Sequence, residues 1–176
     1  MEPCRPAPLR IALADADATI RLGARLAGLL GAGDALLLEG PIGAGKTLLA
    51  RALIQARLAQ AGRTEDVPSP TFTLVQVYDA AGLEIWHADL YRLTHPDEAV
   101  ELGLEDAFRE ALCIVEWPDR LGALRPARAL TIRLEDDATQ DGRLATIRAP
   151  AELAHLRDAL SWDRETCGKD AARERT

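Results

Sequence analysis

The segment Gly40-Pro41-Ile42-Gly43-Ala44-Gly45-Lys46-Thr47 constrains this chain more than any other. Glycines, a lysine and a hydroxyl residue at this spacing form a phosphate-binding loop only where a strand runs into a helix. The flanks meet that condition: Ala35-Leu36-Leu37-Leu38 reads as a buried strand, and the run from Leu48 to Ile54 reads as a helix. Gly43 and Gly45 lack the Cβ that would hold the backbone off a phosphate, and they can adopt positive φ, so successive N–H groups can turn inward. The helix that follows starts at its positive dipole end. Lys46 reaches the β- and γ-phosphates as a mobile charge, and the Thr47 hydroxyl is suited to ligate magnesium. A glycine-rich turn capping an ordinary helix is the plainer alternative. The complete pattern in strand–loop–helix context favours a nucleoside triphosphate with magnesium, held by Gly40, Ile42, Gly43, Ala44, Gly45, Lys46 and Thr47.

A length of 176 residues fits one α/β domain over residues 1–160, followed by a charged, poorly ordered tail over 161–176. With 21 basic and 28 acidic residues the net charge is −7, so tight direct binding to nucleic acid is not expected, and any RNA would be held through a partner. Cys4, Cys113 and Cys167 lack the paired spacing of a zinc site, and their odd number opposes a complete disulfide framework; a reducing cytoplasm fits. Neither a signal-peptide core nor a bilayer-length apolar run is present in the sequence, so no membrane association is expected.

Leu9 to Leu13 suggests a short strand, and Asp15 to Leu30 a helix with Ile20, Leu22, Leu26 and Leu29 on its apolar face, ended by Gly31 and Gly33. After a polar connection over 62–68, Thr71 to Tyr78 alternates like a strand. Leu83 to Asp89 reads as its return partner across a turn at 80–82, which predicts a partly antiparallel, mixed sheet. A helical stretch over 96–111 is interrupted near Gly103, and Leu112 to Val115 is a second buried strand. Segments 129–135 and 143–148 flank the hairpin signal Asp141-Gly142, and 151–160 has helical spacing.

A triphosphate site needs acidic groups to orient magnesium and any attacking water. Glu116, at the carboxyl end of the strand 112–115, is the candidate for the metal; a solvated strand-end carboxylate is the alternative. Asp89 in His87-Ala88-Asp89-Leu90-Tyr91-Arg92 is the candidate for orienting water, and aspartate is equally at home as a helix cap. His87 shares a face with Asp89 and reads as a structural histidine. Ser69-Pro70-Thr71-Phe72 is either a simple turn or a nucleotide-sensing switch with the Thr71 hydroxyl near the γ-phosphate. Trp117 could stack on a base or cover the core, and Arg143 could contact phosphate or ribose or be an ordinary exposed arginine.

The loop 40–47, Ser69 to Val75, His87 to Leu93, Glu101-Leu102-Gly103-Leu104 and Val115-Glu116-Trp117-Pro118, in this order, closely resemble the bacterial TsaE (YjeE) family over residues 10 to 150. The resemblance implies a phosphate-loop, three-layer α/β/α sandwich with a mixed sheet. It implies a magnesium-dependent ATPase required for t6A37 modification of tRNA, working with the TsaD–TsaB pair. On matching positions it implies that Lys46 and the loop amides hold phosphate, Thr47 and Glu116 hold magnesium, Asp89 serves hydrolysis, and Ser69 and Thr71 belong to a switch. Trp117 and Arg143 would lie near the nucleotide. ATP as the nucleotide rests on this resemblance; no Asn-Lys-x-Asp guanine-reading element is present. Two other readings stand beside it: a small-molecule kinase, whose lid arginines would be Arg57 and Arg63, and a binding module that changes shape with nucleotide.

Overall fold

Short runs of branched and aliphatic residues build this molecule around a sheet, because strands buried on both faces need no polar alternation. The computed structural model describes residues 7–139 and 141–161; the proline-rich start through Pro6 and the predicted tail beyond Ser161 lie outside the described residues. In chain order the strands and helices are β1 (Leu9–Leu13), α1 (Ala16–Leu29), β2 (Ala35–Glu39), α2 (Lys46–Gln60), β3 (Val75–Ala80) and β4 (Leu83–Asp89). Then follow α3 (Asp97–Glu101), α4 (Leu104–Glu110), β5 (Leu112–Glu116), β6 (Ala129–Asp136), β7 (Arg143–Arg148) and α5 (Ala154–Ser161). All seven strands form one sheet in the order β1-β7-β6-β2-β5-β4-β3. The four consecutive strands β6, β2, β5 and β4 are mutually parallel, while β7 pairs antiparallel with both β6 and β1, and β3 pairs antiparallel with β4. The mixed α/β sheet expected from the sequence is therefore present.

Leu36 and Leu38 of β2, Ile114 of β5 and Ile132 of β6 face a core completed by α1, α2 and α5. Leu37, Ala88 and Val115 point the other way, against Leu104 of α4 and Leu121 in the 3-10 segment Pro118–Leu124. Among the described residues, no helix is long and apolar enough to cross a membrane.

Two details differ from the sequence expectation. Residues 71–74 are not strand: the Leu74 N–H closes on the Pro70 carbonyl at 2.7 Å and Leu74 takes φ 65°, so the segment turns before β3 begins at Val75. The β-branched residues there satisfy a strand propensity, but this local hydrogen bond wins. Ile20 is exposed rather than part of the α1 stripe. The buried stripe is Ala18, Thr19, Leu22, Gly23, Leu26 and Ala27, and Ile20 lies two residues from Leu22, on the opposite side of the helix. Asp15 caps α1, accepting from the Ala18 N–H at 2.7 Å.

Gly23 lets α1 approach α2. A Cβ at this position would stand 2.7 Å from Ala52 Cβ and 3.0 Å from the Leu49 carbonyl oxygen and the Leu53 nitrogen. Gly23→Ala should gain about 1 kcal/mol in helix propensity and lose more by forcing two backbones apart. The expected net result is a loss of about 1–2 kcal/mol, read as a lower urea midpoint. An unchanged or raised midpoint would show that the helix pair yields freely.

Candidate functional site

Because β6, β2, β5 and β4 are parallel, their carboxyl ends gather on one edge of the sheet, where open α/β sheets collect ligands. Asp89 and Glu116 end adjacent strands and are register partners, and Leu38 of β2 pairs with Glu116 from the other side. The loop from β2 to α2 leaves the sheet at the same edge. Gly40, Gly43 and Gly45 all take positive φ, at 138°, 80° and 98°. Gly40 is glycine for a packing reason as well, since a Cβ there would run into the Leu134 carbonyl of β6. At Gly43 and Gly45 a Cβ would meet open space, so conformation alone requires glycine there.

Ile42, Gly43, Gly45, Lys46, Thr47, Thr71, Asp89, Tyr91, Glu116 and Trp117 line one cavity of about 420 Å³. Lys46 Nζ donates to the carbonyls of Gly40 at 2.7 Å and Pro41 at 2.8 Å, and stands 4.0 Å from the centre of the Trp117 ring. Burial pushes the Lys46 ammonium below its ordinary pKa, while the carboxylates of Glu116 and Asp89 pull it partly back. Thr47 Oγ1 donates to Glu116 Oε2 at 2.8 Å. On the far side of that carboxylate, Oε1 lies 2.9 Å from His87 Nε2. Asp89 accepts from Thr71 Oγ1 and from the Tyr91 N–H, both at 3.1 Å, and Thr71 Oγ1 lies 2.7 Å from Ser69 Oγ. Asp89 thus caps no helix; it closes a turn and holds the segment carrying Ser69 and Thr71.

Trp117 has φ 60° and ψ 51°, a left-handed conformation that costs a non-glycine residue about 1 kcal/mol or more. The reversal brings its ring over Lys46 and against Tyr91, with ring centres 4.9 Å apart.

Some sequence candidates stand at the margin. Ala44 sends its methyl into the core and its N–H to the Pro41 carbonyl at 3.2 Å, while Ile42 is largely exposed. Arg143 reaches the Gly43 carbonyl at 3.3 Å and pairs with Asp136 at 2.6 Å, outside the cavity lining. Ser69 reaches the site through Thr71. Arg57 donates to the Leu30 carbonyl and Arg63 to the Asp79 carbonyl, both at 2.6 Å, so both arginines of the kinase reading are engaged elsewhere. Residue reading from the sequence missed two participants, Tyr91 as a wall of the cavity and His87 as a partner of Glu116. The pattern His-x-Asp-x-Tyr at a strand end was the available signal for both.

Fold and site together define a mixed-sheet α/β protein whose glycine-rich strand–loop–helix turn faces a pair of strand-end carboxylates. The model of the family described as threonylcarbamoyl adenosine biosynthesis protein TsaE matches residues 13–145, and the chain belongs to the TsaE family. It is similar to proteins named tRNA threonylcarbamoyladenosine biosynthesis protein TsaE from several bacteria. The Rickettsia felis protein is 36% identical over 142 residues, 81% of each chain. The Mycobacterium leprae protein is 39% identical over 137 residues, covering 73% of this chain and 83% of the relative. With the Rickettsia conorii protein the identity is 38% over 117 residues, and the match spans just under two thirds of that relative, 65% of its length. The crystal structure of YdiB from Bacillus subtilis superposes with a TM-score of 0.71 at 26% identity, covering 90% of this chain and 96% of that one.

Proposed function

We propose that this protein is a magnesium-dependent ATPase of the cytoplasm that serves t6A37 modification of tRNA, acting with the TsaD–TsaB pair through ATP binding and hydrolysis. The observation that carries this reading is the convergence of Lys46, Thr47, Asp89 and Glu116 on one cavity beside the glycine-rich loop. Membership of the TsaE family supports the pathway.

The residues fit the proposed ligands. Gly43 and Gly45 leave open space beside the loop backbone, where phosphate oxygens could approach the N–H groups. Among the described residues no group of three or more His, Cys, Asp or Glu side chains forms a metal cage. That suits magnesium, which relies on one or two protein oxygens together with phosphates and water. Thr47 and Glu116, joined at 2.8 Å, would hold it. Bound magnesium would neutralise charge developing on the phosphates. Lys46 would add a fixed cation, Asp89 would orient the attacking water, and the Trp117–Tyr91 pair would wall the cavity. Asp89 also bonds Thr71, so ligand-dependent rearrangement of 69–74 would be felt at the same carboxylate.

The test is ATP hydrolysis by the purified protein with magnesium, alone and with TsaD–TsaB. Stimulation by the pair is expected, with Glu116→Ala lowering the rate about tenfold to a hundredfold, as for lost metal-site support. A rate indifferent to the pair would remove the partner assignment, and an unaffected Glu116→Ala would remove the metal assignment.

A further inference from the structure

His87 is fully buried, at 0% exposure, on the inner strand β4. Nothing in the proposed chemistry uses it directly, yet its Nε2 lies 2.9 Å from Oε1 of Glu116, whose own exposure is 2%. Nδ1 has no hydrogen-bonding partner among the described residues. A carboxylate only accepts hydrogen bonds, so Nε2 is the donor in this contact.

We propose that His87 is a positioning residue that holds the Glu116 carboxylate in the orientation needed by the metal–nucleotide complex. The inference rests on the nucleotide-and-magnesium reading above. Glu116 is gripped from two sides. Thr47, on the first turn of α2, donates to Oε2, and its hydroxyl oxygen would also be the one asked to ligate magnesium. His87 grips Oε1 from the sheet itself, through a strand whose register with β5 places Asp89 beside Glu116. The histidine is therefore the fixed reference, and Thr47 is the contact that ligand binding perturbs. Groups that hydrogen-bond metal-binding carboxylates typically set metal affinity by tenfold to a hundredfold.

The experiment compares wild type, His87→Leu and His87→Gln in two titrations. One follows the binding of a fluorescent ATP analogue in EDTA; the other follows free Mn²⁺ by electron paramagnetic resonance as it binds protein carrying adenosine imidotriphosphate. His87→Leu should weaken Mn²⁺ about tenfold to a hundredfold and leave metal-free nucleotide affinity within about twofold. His87→Gln, which restores an N–H donor, should recover most of the loss. Parallel weakening in both titrations, or Mn²⁺ affinity unchanged in His87→Leu, overturns the positioning role while leaving the nucleotide site standing. Wild type that takes up no Mn²⁺ with nucleotide overturns the underlying function as well. If His87→Leu does not fold, wild type decides by imidazole ¹H–¹⁵N spectra. A proton on Nε2 whose resonance moves with Mg²⁺–nucleotide, and not with nucleotide in EDTA, supports the role; a proton on Nδ1, or no metal-dependent movement, overturns it.

Discussion

Lys46→Ala is expected to weaken ATP binding about a hundredfold, close to 3 kcal/mol, with little change in fold stability. The magnitude follows from where the ammonium sits. Lys46 is nearly buried, its Nζ is held by two carbonyls, and the Trp117 ring covers it, so little flexibility remains to be lost when a phosphate arrives. A pre-placed, partly desolvated cation makes stronger charge-assisted hydrogen bonds than a mobile surface lysine. Alanine is also an excellent residue for the first turn of α2, so the scaffold should tolerate the change. Isothermal titration calorimetry with ATP and magnesium measures the effect. An affinity within threefold of wild type would take Lys46 out of the phosphate site.

Asp89→Asn should separate binding from turnover. Hydrolysis is expected to fall about 10²- to 10⁴-fold, the range for losing a positioned proton acceptor, while the ATP dissociation constant stays within about threefold. Asparagine keeps an oxygen for the Tyr91 N–H and can still bond Thr71, so the turn after β4 and the segment 69–74 should survive. What disappears is the negative charge and its proton-accepting capacity. Single-turnover hydrolysis beside equilibrium binding distinguishes the outcomes. Normal turnover would move the hydrolytic role away from Asp89, and a large loss of affinity would recast the residue as part of the binding cradle.

The loop 40–47 and the buried strands around it were legible because their signals are local. Glycine placement, apolar runs and the Asp141-Gly142 turn each act within a few residues. Asp89 and Glu116 were legible as strand-end acids, but their adjacency was not, since it depends on β4 and β5 being neighbours in the sheet. The His87–Glu116 contact was hidden for the same reason: it joins residues 29 positions apart through strand order. Residues 71–74 misled because Thr and Phe favour strands, whereas one hydrogen bond to the Pro70 carbonyl turns the chain. Trp117 could not be oriented from its surroundings, because its left-handed backbone is a tertiary outcome rather than a propensity of tryptophan.

The parallel pairing of β2 with β5 joins residues 35–38 to 113–116. Long-range pairings of this kind form late and slowly, after loop closure has cost the chain its freedom. During synthesis the glycine-rich loop therefore emerges well before Glu116 can stand opposite Thr47. On the proposed reading, a growing or truncated chain that stops short of Leu112 lacks the carboxylate that would hold magnesium opposite Thr47. On the same reading, nucleotide bound after β5 inserts would stabilise the complete sheet by mass action. Hydrolytic competence would in this sense report that the whole central sheet has been assembled.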